Sequence, residues 1–450
     1  MGGAPDNKNK MKKLLSIISI LSLSALTSLG QDINAAKLDS FLNILSSKGL
    51  AMGSLAISKN GVVAYQKAIG YASISENKKI TADINTKYRI GSATKMFTAV
   101  MIFQLVEEGK LKLDDKLKNY FPGLPNAGKI TIQNMLYHRS GLHDYTHDTN
   151  FSDWMDKPKS HEELLKIIKD KGSDFEPGTD ADYCNTNYLL LGYIIEKVCK
   201  TTYADALRKR IIAKLHLKAT YFGKPININN NESTSYKYSG NNWIKEKETD
   251  LSIHGGAGSI VSTPADMVKF IDALFANKLV NKTSLAKMKT MIDDYGMGMF
   301  SNKYGDKPSF GHNGRIEEFY SALWYFPDEK LAFAYCTNGI AYPRTDIVEG
   351  ILKICFNEPF QIPLSKQNDY KSEDLDKYLG KYSAGQIVVN CTKDGTRLLL
   401  ETRGKVFEAE KINDDYFMNK ESGYFFEFHP DKGELQIKET DNVYHLKRTE

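Results

Sequence analysis

Cysteine is scarce in this 450-residue chain: Cys184, Cys199, Cys336, Cys355 and Cys391 are five residues set far apart. They form no Cys-x-x-Cys pair and no His/Cys cluster, so neither a zinc site nor a redox motif is supported, and no metal or organic cofactor is expected. No disulfide framework can be read, and an odd count predicts at least one free thiol or an intermolecular bridge. Excess charge is also scarce. The formal net charge is +5, and the first thirty residues hold four lysines against one aspartate, which leaves the remainder near +2. With no basic cluster interleaved with aromatics, nucleic acid is excluded as the natural partner. Neither a Gly-x-Ser-x-Gly elbow nor a His-Glu-x-x-His helix occurs.

Long apolar runs are missing too. The one from Leu14 to Leu26 is about a dozen residues, too short and serine-rich for a good membrane span. It follows Met11-Lys12-Lys13 and precedes the small-residue stretch Ser28-Leu29-Gly30, the order of a secretory signal peptide. Residues 1–30 are therefore expected to be leader and signal, giving a secreted or periplasmic protein with no stable span after processing. No cysteine follows the run, so a lipid anchor is not indicated.

What is present is globular, at 41% hydrophobic and 26% charged residues, and long enough for two or three domains. Residues 38–48 read as an amphipathic helix. Met52–Ser58 and Val62–Ile69 read as a hairpin about Lys59-Asn60-Gly61. Helices are then expected at Thr131–His138, His161–Lys169, Thr186–Lys200 and Tyr203–Leu215, and an extended stretch over 237–248. Gly255-Gly256-Ala257-Gly258 reads as a flexible loop, and Thr263-Pro264 as a helix start. Strands are expected at Gly296–Phe300, Phe319–Phe326 and Leu331–Cys336, then a helix over Arg344–Phe356. Strands at both ends with helices between predict an α/β (α+β) domain over 31–357, with one sheet built from both ends and an inserted helical subdomain. Residues 358–370 read as a linker. Over 371–450, seven short strand-like runs separated by turns predict a small antiparallel β-barrel. Its aromatics (Tyr378, Tyr382, Phe407, Tyr416, Phe426, Phe428) fill a core or line a ligand cavity.

The chemistry centres on Gly91-Ser92-Ala93-Thr94-Lys95, where a serine opens a helix expected to run to about Glu108. On it Ser92 and Lys95 share a face one turn apart. A serine hydroxyl becomes a nucleophile when a neighbouring base takes its proton, and a desolvated lysine can be that base. The helix start adds unpaired N–H groups suited to a developing oxyanion. Two other Ser-x-x-Lys triplets, Ser75–Lys78 in a loop and Ser284–Lys287 on an amphipathic helix, read as solvent-facing. Tyr183-Cys184-Asn185 stands at the mouth of an apolar helix, where a phenol can relay protons and an amide can bind a substrate carbonyl. His312-Asn313-Gly314 supplies a cationic or hydrogen-bonding side chain and a glycine along which a substrate backbone can lie.

In the order Ser-x-x-Lys, Tyr-x-Asn, His-x-Gly the chain resembles the penicillin-recognising serine hydrolases. It looks most like the branch with class C β-lactamases, D-Ala-D-Ala carboxypeptidases, D-aminopeptidases and esterases. The likeness also takes in Tyr88–Phe97, Met135–Leu142, Phe175–Gly192, Gly255–Phe270 and Phe310–Asn338. It implies Ser92 as the acylated nucleophile, Lys95 as its base and Tyr183 as proton relay. Asn185 would hold the substrate amide, His312 would replace the usual lysine, and the N–H groups of Ser92 and Arg315 would form the oxyanion hole. Asn313, Gly314 and Arg315 would line the substrate edge. Ser140, in His138-Arg139-Ser140-Gly141, would belong to a structural turn. The run 371–450 looks lipocalin-like. Two departures stand out. Arg315 and Glu318 occupy places usually held by a small residue and a glycine, and so crowd the substrate edge or select a charged substrate. Cys184 replaces a small residue and would make activity sensitive to oxidation. The expected activity is hydrolysis of D-residue peptides or small esters through an acyl-enzyme. The alternatives are a β-lactamase and a penicillin-binding sensor without turnover.

Overall fold

The computed structural model describes residues 1–2, 33–239, 242–363, 371–419, 422–440 and 442–449. The expected signal peptide and most of the expected linker lie outside the described residues. Six antiparallel strands form the main sheet in the spatial order Phe300–Tyr304, Lys307–Ile316, Phe319–Phe326, Leu331–Ile340, Ala51–Lys59 and Val62–Ile69. The sheet is thus joined from the two ends of the region 31–357, as the sequence pattern predicts.

The two central strands, Leu331–Ile340 and Ala51–Lys59, are buried almost throughout, because helices cover both faces. Alternation sorts their side chains. Ala56, Ala332, Ala334 and Cys336 face the core around helices Thr94–Glu107 and Pro264–Phe275. Leu55, Ile57, Phe333 and Tyr335 face helices Ala35–Ser47 and Arg344–Cys355. Helix Thr94–Glu107 is buried on every side from Thr94 to Leu105, the pattern of a helix that runs through a core.

The helices between the two halves of the sheet fall close to expectation, at Ile132–Leu136, His161–Lys171 and Asn185–Cys199. The first is short because a Thr131/Asn134 capping box starts it and His138 takes a positive φ of 59° soon after its end. The expected helix Tyr203–Leu215 is interrupted by a π-type turn over Arg208–Ile212. Within the stretch expected to be extended, strands Tyr236–Ser239 and Asn242–Lys245 pair antiparallel. The expected strand Gly296–Phe300 begins only at Phe300. The strand Lys307–Ile316, which carries the His-x-Gly triplet, went unread because Pro308, Gly311, Asn313 and Gly314 are poor strand formers. Gly255–Ala257 is a buried 3-10 turn packed on helix Asn185–Cys199, and not a flexible loop.

Residues 380–448 close into an eight-stranded barrel, Gly380–Ala384 pairing with both its neighbour and the last strand, Val443–Arg448. Seven of the eight strands were legible; Gly380–Ala384 was not. Tyr378, Tyr382, Phe417 and Phe428 meet ring to ring at 4.9–5.7 Å between centroids, and with Phe426 they fill the interior. Tyr416 instead faces the α/β region with Ile412, Met418 and Phe425, packing around Tyr342. Beside this apolar contact Lys438 Nζ bridges Asp346 (2.9 Å) and Glu427 (2.6 Å), and the Tyr416 hydroxyl donates to Asp346. Phe425 is fully buried at this junction. Phe425→Ala is expected to cost about 3–5 kcal/mol of unfolding free energy, read by denaturant titration of the whole chain.

Candidate active site

Strand Tyr88–Arg89 leads into Ser92. It pairs with Ile260–Ser262, and Ile90 N–H continues the ladder to Ile260 O at 3.0 Å. Gly91 then turns the chain at φ 50°, and a Cβ there would sit 2.8 Å from the Arg315 backbone. From the opposite side, a Cβ on Gly314 would sit 2.0 Å from Ile90 O, while Ser321 Oγ donates to that same carbonyl at 2.7 Å. The serine turn and the His-x-Gly strand therefore touch backbone to backbone, which only glycine at both positions permits. Arg89 locks the contact. Its fully buried guanidinium pairs with Glu317 at 2.7 Å, just past that strand, and also with Glu248. Such a pair contributes more to geometry than to stability.

Lys95 lies one turn beyond Ser92 and is wholly buried. Its Nζ stands 3.0 Å from Ser92 Oγ, 2.8 Å from Asn185 Oδ1 and 2.9 Å from the Ala257 carbonyl. Burial pulls its pKa down to about 7, with Asp144 the largest influence in the opposite direction. Two of the three neighbours are carbonyl oxygens, which can only accept. In the neutral amine they take both N–H groups, and the lone pair is left facing the serine hydroxyl. Tyr183 places its ring 4.8 Å from Lys95 Nζ. Burial raises its phenol well above the usual range, outweighing Ser92, which acts to lower the pKa, so it stays protonated.

His138 grips both sides of Tyr183. Its carbonyl accepts from Asp182 N–H at 3.0 Å, its Nδ1 accepts from Cys184 N–H at 2.9 Å, and its ring stacks on the tyrosine at 4.5 Å. His312 is buried, with its ring centroid 6.2 Å from that of Tyr183. Its Nδ1–H donates to the Asn313 carbonyl, leaving Nε2 as an acceptor. Burial, reinforced by Lys95, holds its pKa down at about 3. Of the two roles open to it from sequence, a cation or a hydrogen-bonding group, it has the second.

The site opens into a cleft of about 1010 Å³ lined by Ser92, Tyr183, Asn185, His312, Asn313, Gly314 and Arg315, among others. All eight residues singled out from sequence thus surround one space or, for Lys95, its floor. Strand Lys307–Ile316 is paired with its outer neighbour only as far as Gly311, so from His312 onward its edge borders the cleft. Asn313 Oδ1 accepts from Trp324 Nε1 at 2.9 Å. Arg315 lines the cleft, whereas Glu318 turns to Arg315 (3.2 Å) and the Tyr320 hydroxyl (3.3 Å). The expectation that both charges crowd the substrate edge holds for Arg315 alone.

Of the remaining expectations, those for Cys184 and Ser284 change, while the free thiols and the Ser140 turn agree with the sequence reading. All five cysteines are free. Cys184 is buried, its thiol donates to Leu142 O at 3.2 Å, and burial drives its pKa up; a protonated, enclosed thiol is a poor oxidation target. Ser284 is buried, its N–H donating to Asn281 Oδ1, and not solvent-facing. Ser140 is a turn residue whose Oγ accepts from Leu142 N–H at 3.1 Å. Ala257, His138 and Asp144 were missed. A backbone carbonyl leaves no signal in sequence, and a histidine or aspartate inside a turn looks like any other.

The Ser92 hydroxyl beside the buried Lys95 amine, on this fold, fits the class of serine hydrolases. The sequence matches the beta-lactamase family over residues 39–351, and the chain belongs to that family. Penicillin-binding protein 4* of Bacillus subtilis (strain 168) is 25% identical over 406 residues, spanning 82% of this chain and 88% of that protein. Teichoic acid D-alanine hydrolase of Staphylococcus aureus is 27% identical over 296 residues, 64% of this chain and 71% of its own. The D-amino acid amidase of Ochrobactrum anthropi SV3, solved in complex with D-phenylalanine, aligns with a TM-score of 0.64 and 27% identity, covering 72% of this chain and 98% of that one.

Gly314→Ala tests the backbone contact. It is expected to keep the fold by circular dichroism yet slow fluorophosphonate labelling of Ser92 by roughly 100-fold, the usual result of a misplacement near 1 Å.

Proposed function

We propose that this chain is an exported serine hydrolase that cleaves D-aminoacyl esters or amides, including D-residue peptides, through an acyl-enzyme on Ser92. The observation that carries the reading is the Lys95 amine, whose N–H groups meet two fixed carbonyls and whose lone pair faces Ser92 Oγ. Ser92 Oγ attacks the substrate carbonyl and passes its proton to Lys95 Nζ. The negative charge on the carbonyl oxygen is met by the backbone N–H groups of Ser92 and Arg315. Tyr183, a neutral phenol, relays a proton to the leaving alcohol or amine, and the bond to that group breaks. Water then attacks the Ser92 ester with the same groups acting in reverse.

The substrate class is drawn from two relatives, one named for D-alanine hydrolysis and one for D-amino acid amides. His312 supports it from this chain's own side: a neutral imidazole offers no charge to a β-lactam carboxylate where a lysine would. Export rests on the basic and apolar pattern of residues 11–30. No helix among the described residues is long and apolar enough to cross a membrane.

Intact-mass analysis with D-alanyl and L-alanyl esters, D-alanine amides and a penicillin, using Ser92→Ala as control, tests the reading. Faster turnover of the D-substrates is expected. Rapid penicillin hydrolysis would favour a β-lactamase instead, and a lasting penicilloyl adduct without turnover would favour a sensor. The pH dependence follows from the buried lysine. Below about pH 7 the amine is protonated and has no lone pair for Ser92. Acylation should therefore fall on acidification with a midpoint near 7, read as the acid limb of kcat/KM.

A further inference from the structure

The loop from His138 to Thr146 brings a buried carboxylate close to the reacting atoms, and the proposed chemistry does not use it. Asp144 is 4% exposed. Its Oδ1 accepts from Thr146 N–H (2.9 Å) and Thr146 Oγ1–H (2.8 Å). Its Oδ2 accepts from Asn185 N–H (2.7 Å) and Asn185 Nδ2–H (3.0 Å). The second Asn185 amide proton goes to Thr146 Oγ1 at 3.0 Å. An amide with both N–H groups spoken for on one side presents its oxygen on the other, and Asn185 Oδ1 there meets Lys95 Nζ at 2.8 Å.

We infer that Asp144 is a positioning residue: by anchoring the Asn185 amide it aims the Lys95 lone pair at Ser92 without itself touching substrate. The inference rests on Lys95 acting as the base. It also recasts Asn185, whose amide protons are taken by Asp144 and Thr146, as a holder of the lysine rather than of the substrate amide. Were the amide reversed, its NH2 would confront the lysine N–H groups donor to donor, and the lone pair would lose its direction.

The carboxylate has a second effect. Asp144 opposes the pull of burial on Lys95. The Cys184 thiol and the Tyr183 and Tyr188 phenols around the amine are held protonated by burial. His138, His254 and His312, which feel the lysine charge, are held neutral. Removing the Asp144 charge should therefore leave the lysine deprotonated to a lower pH.

The test compares pH profiles of kcat and KM on a D-alanyl ester for wild type, Asp144→Asn, Thr146→Val and Lys95→Ala. Asp144→Asn is expected to lower kcat by roughly 30-fold or more with KM changed less than about threefold, and to move the acid limb to lower pH. Thr146→Val removes one amide anchor but keeps the charge, so kcat should fall by roughly tenfold with the limb in place. A wild-type profile for Asp144→Asn, or a loss that tracks its thermal unfolding with the limb unmoved, overturns the inference. If Asp144→Asn does not fold, Thr146→Val decides, and an unchanged kcat there overturns it. Lys95→Ala separates the two layers. If it labels as fast as wild type, the base reading itself falls; if it is inert while Asp144→Asn behaves as wild type, only the role of Asp144 falls.

Discussion

A lysine amine sealed from water is the constraint on which the rest of the molecule turns. Holding an ammonium out of solvent costs several kcal/mol; burial instead lowers the Lys95 pKa to about 7, and three oxygens fix the direction of the amine, those of Ser92, Asn185 and Ala257. Each sits on an element packed into the core. Ser92 lies in the 3-10 turn Gly91–Ala93, directly before a helix buried on all sides. Asn185 opens a helix whose residues 186–195 are buried. Ala257 belongs to a turn packed between those two helices. The sheet, the helical layer and the glycine contacts between Gly91 and the Arg315 strand serve to keep these three oxygens within 3.0 Å of one nitrogen.

The electrostatics follow from the same burial. Three histidines near the lysine are neutral, the surrounding phenols and thiol are protonated, and the one arginine beneath the turn, Arg89, is matched by Glu317 and Glu248. Around Ser92 itself the buried groups thus act as oriented dipoles, the arrangement in which fixed hydrogen-bond donors are most effective against a developing charge, while charged side chains such as Arg315 stand on the cleft wall.

Legibility in the sequence divided along physical lines. Side chains that do chemistry were visible because only certain types can do it: the Ser92–Lys95 spacing, Tyr183–Asn185 and His312–Gly314 all converge on one cleft. Strands with strong alternation, such as Val62–Ile69 and Phe319–Phe326, were visible too. The strand Lys307–Ile316 was not, since the glycines that allow it to approach the serine turn erase its β pattern. Nor were the supports. The Ala257 carbonyl, the Asp144 carboxylate and the His138 bracket around Tyr183 act through hydrogen bonds to backbone or amide groups, and those depend on placement in space. The barrel showed a mixed case: its strands announced themselves, while the division of its aromatics between Tyr378 inside and Tyr416 at the domain junction became apparent only in three dimensions.

The central pairing of the main sheet, Ala51–Lys59 against Leu331–Ile340, joins stretches far apart along the chain. Pairings of such separation form slowly and late. A ribosome extrudes Ser92 and Lys95 early, when the lysine is hydrated and protonated and neither Ala257 nor the strand through Arg315 yet exists beside them. Until Leu331–Ile340 has found its place in the sheet, Ser92 and Lys95 are present without the surroundings that would set their chemistry.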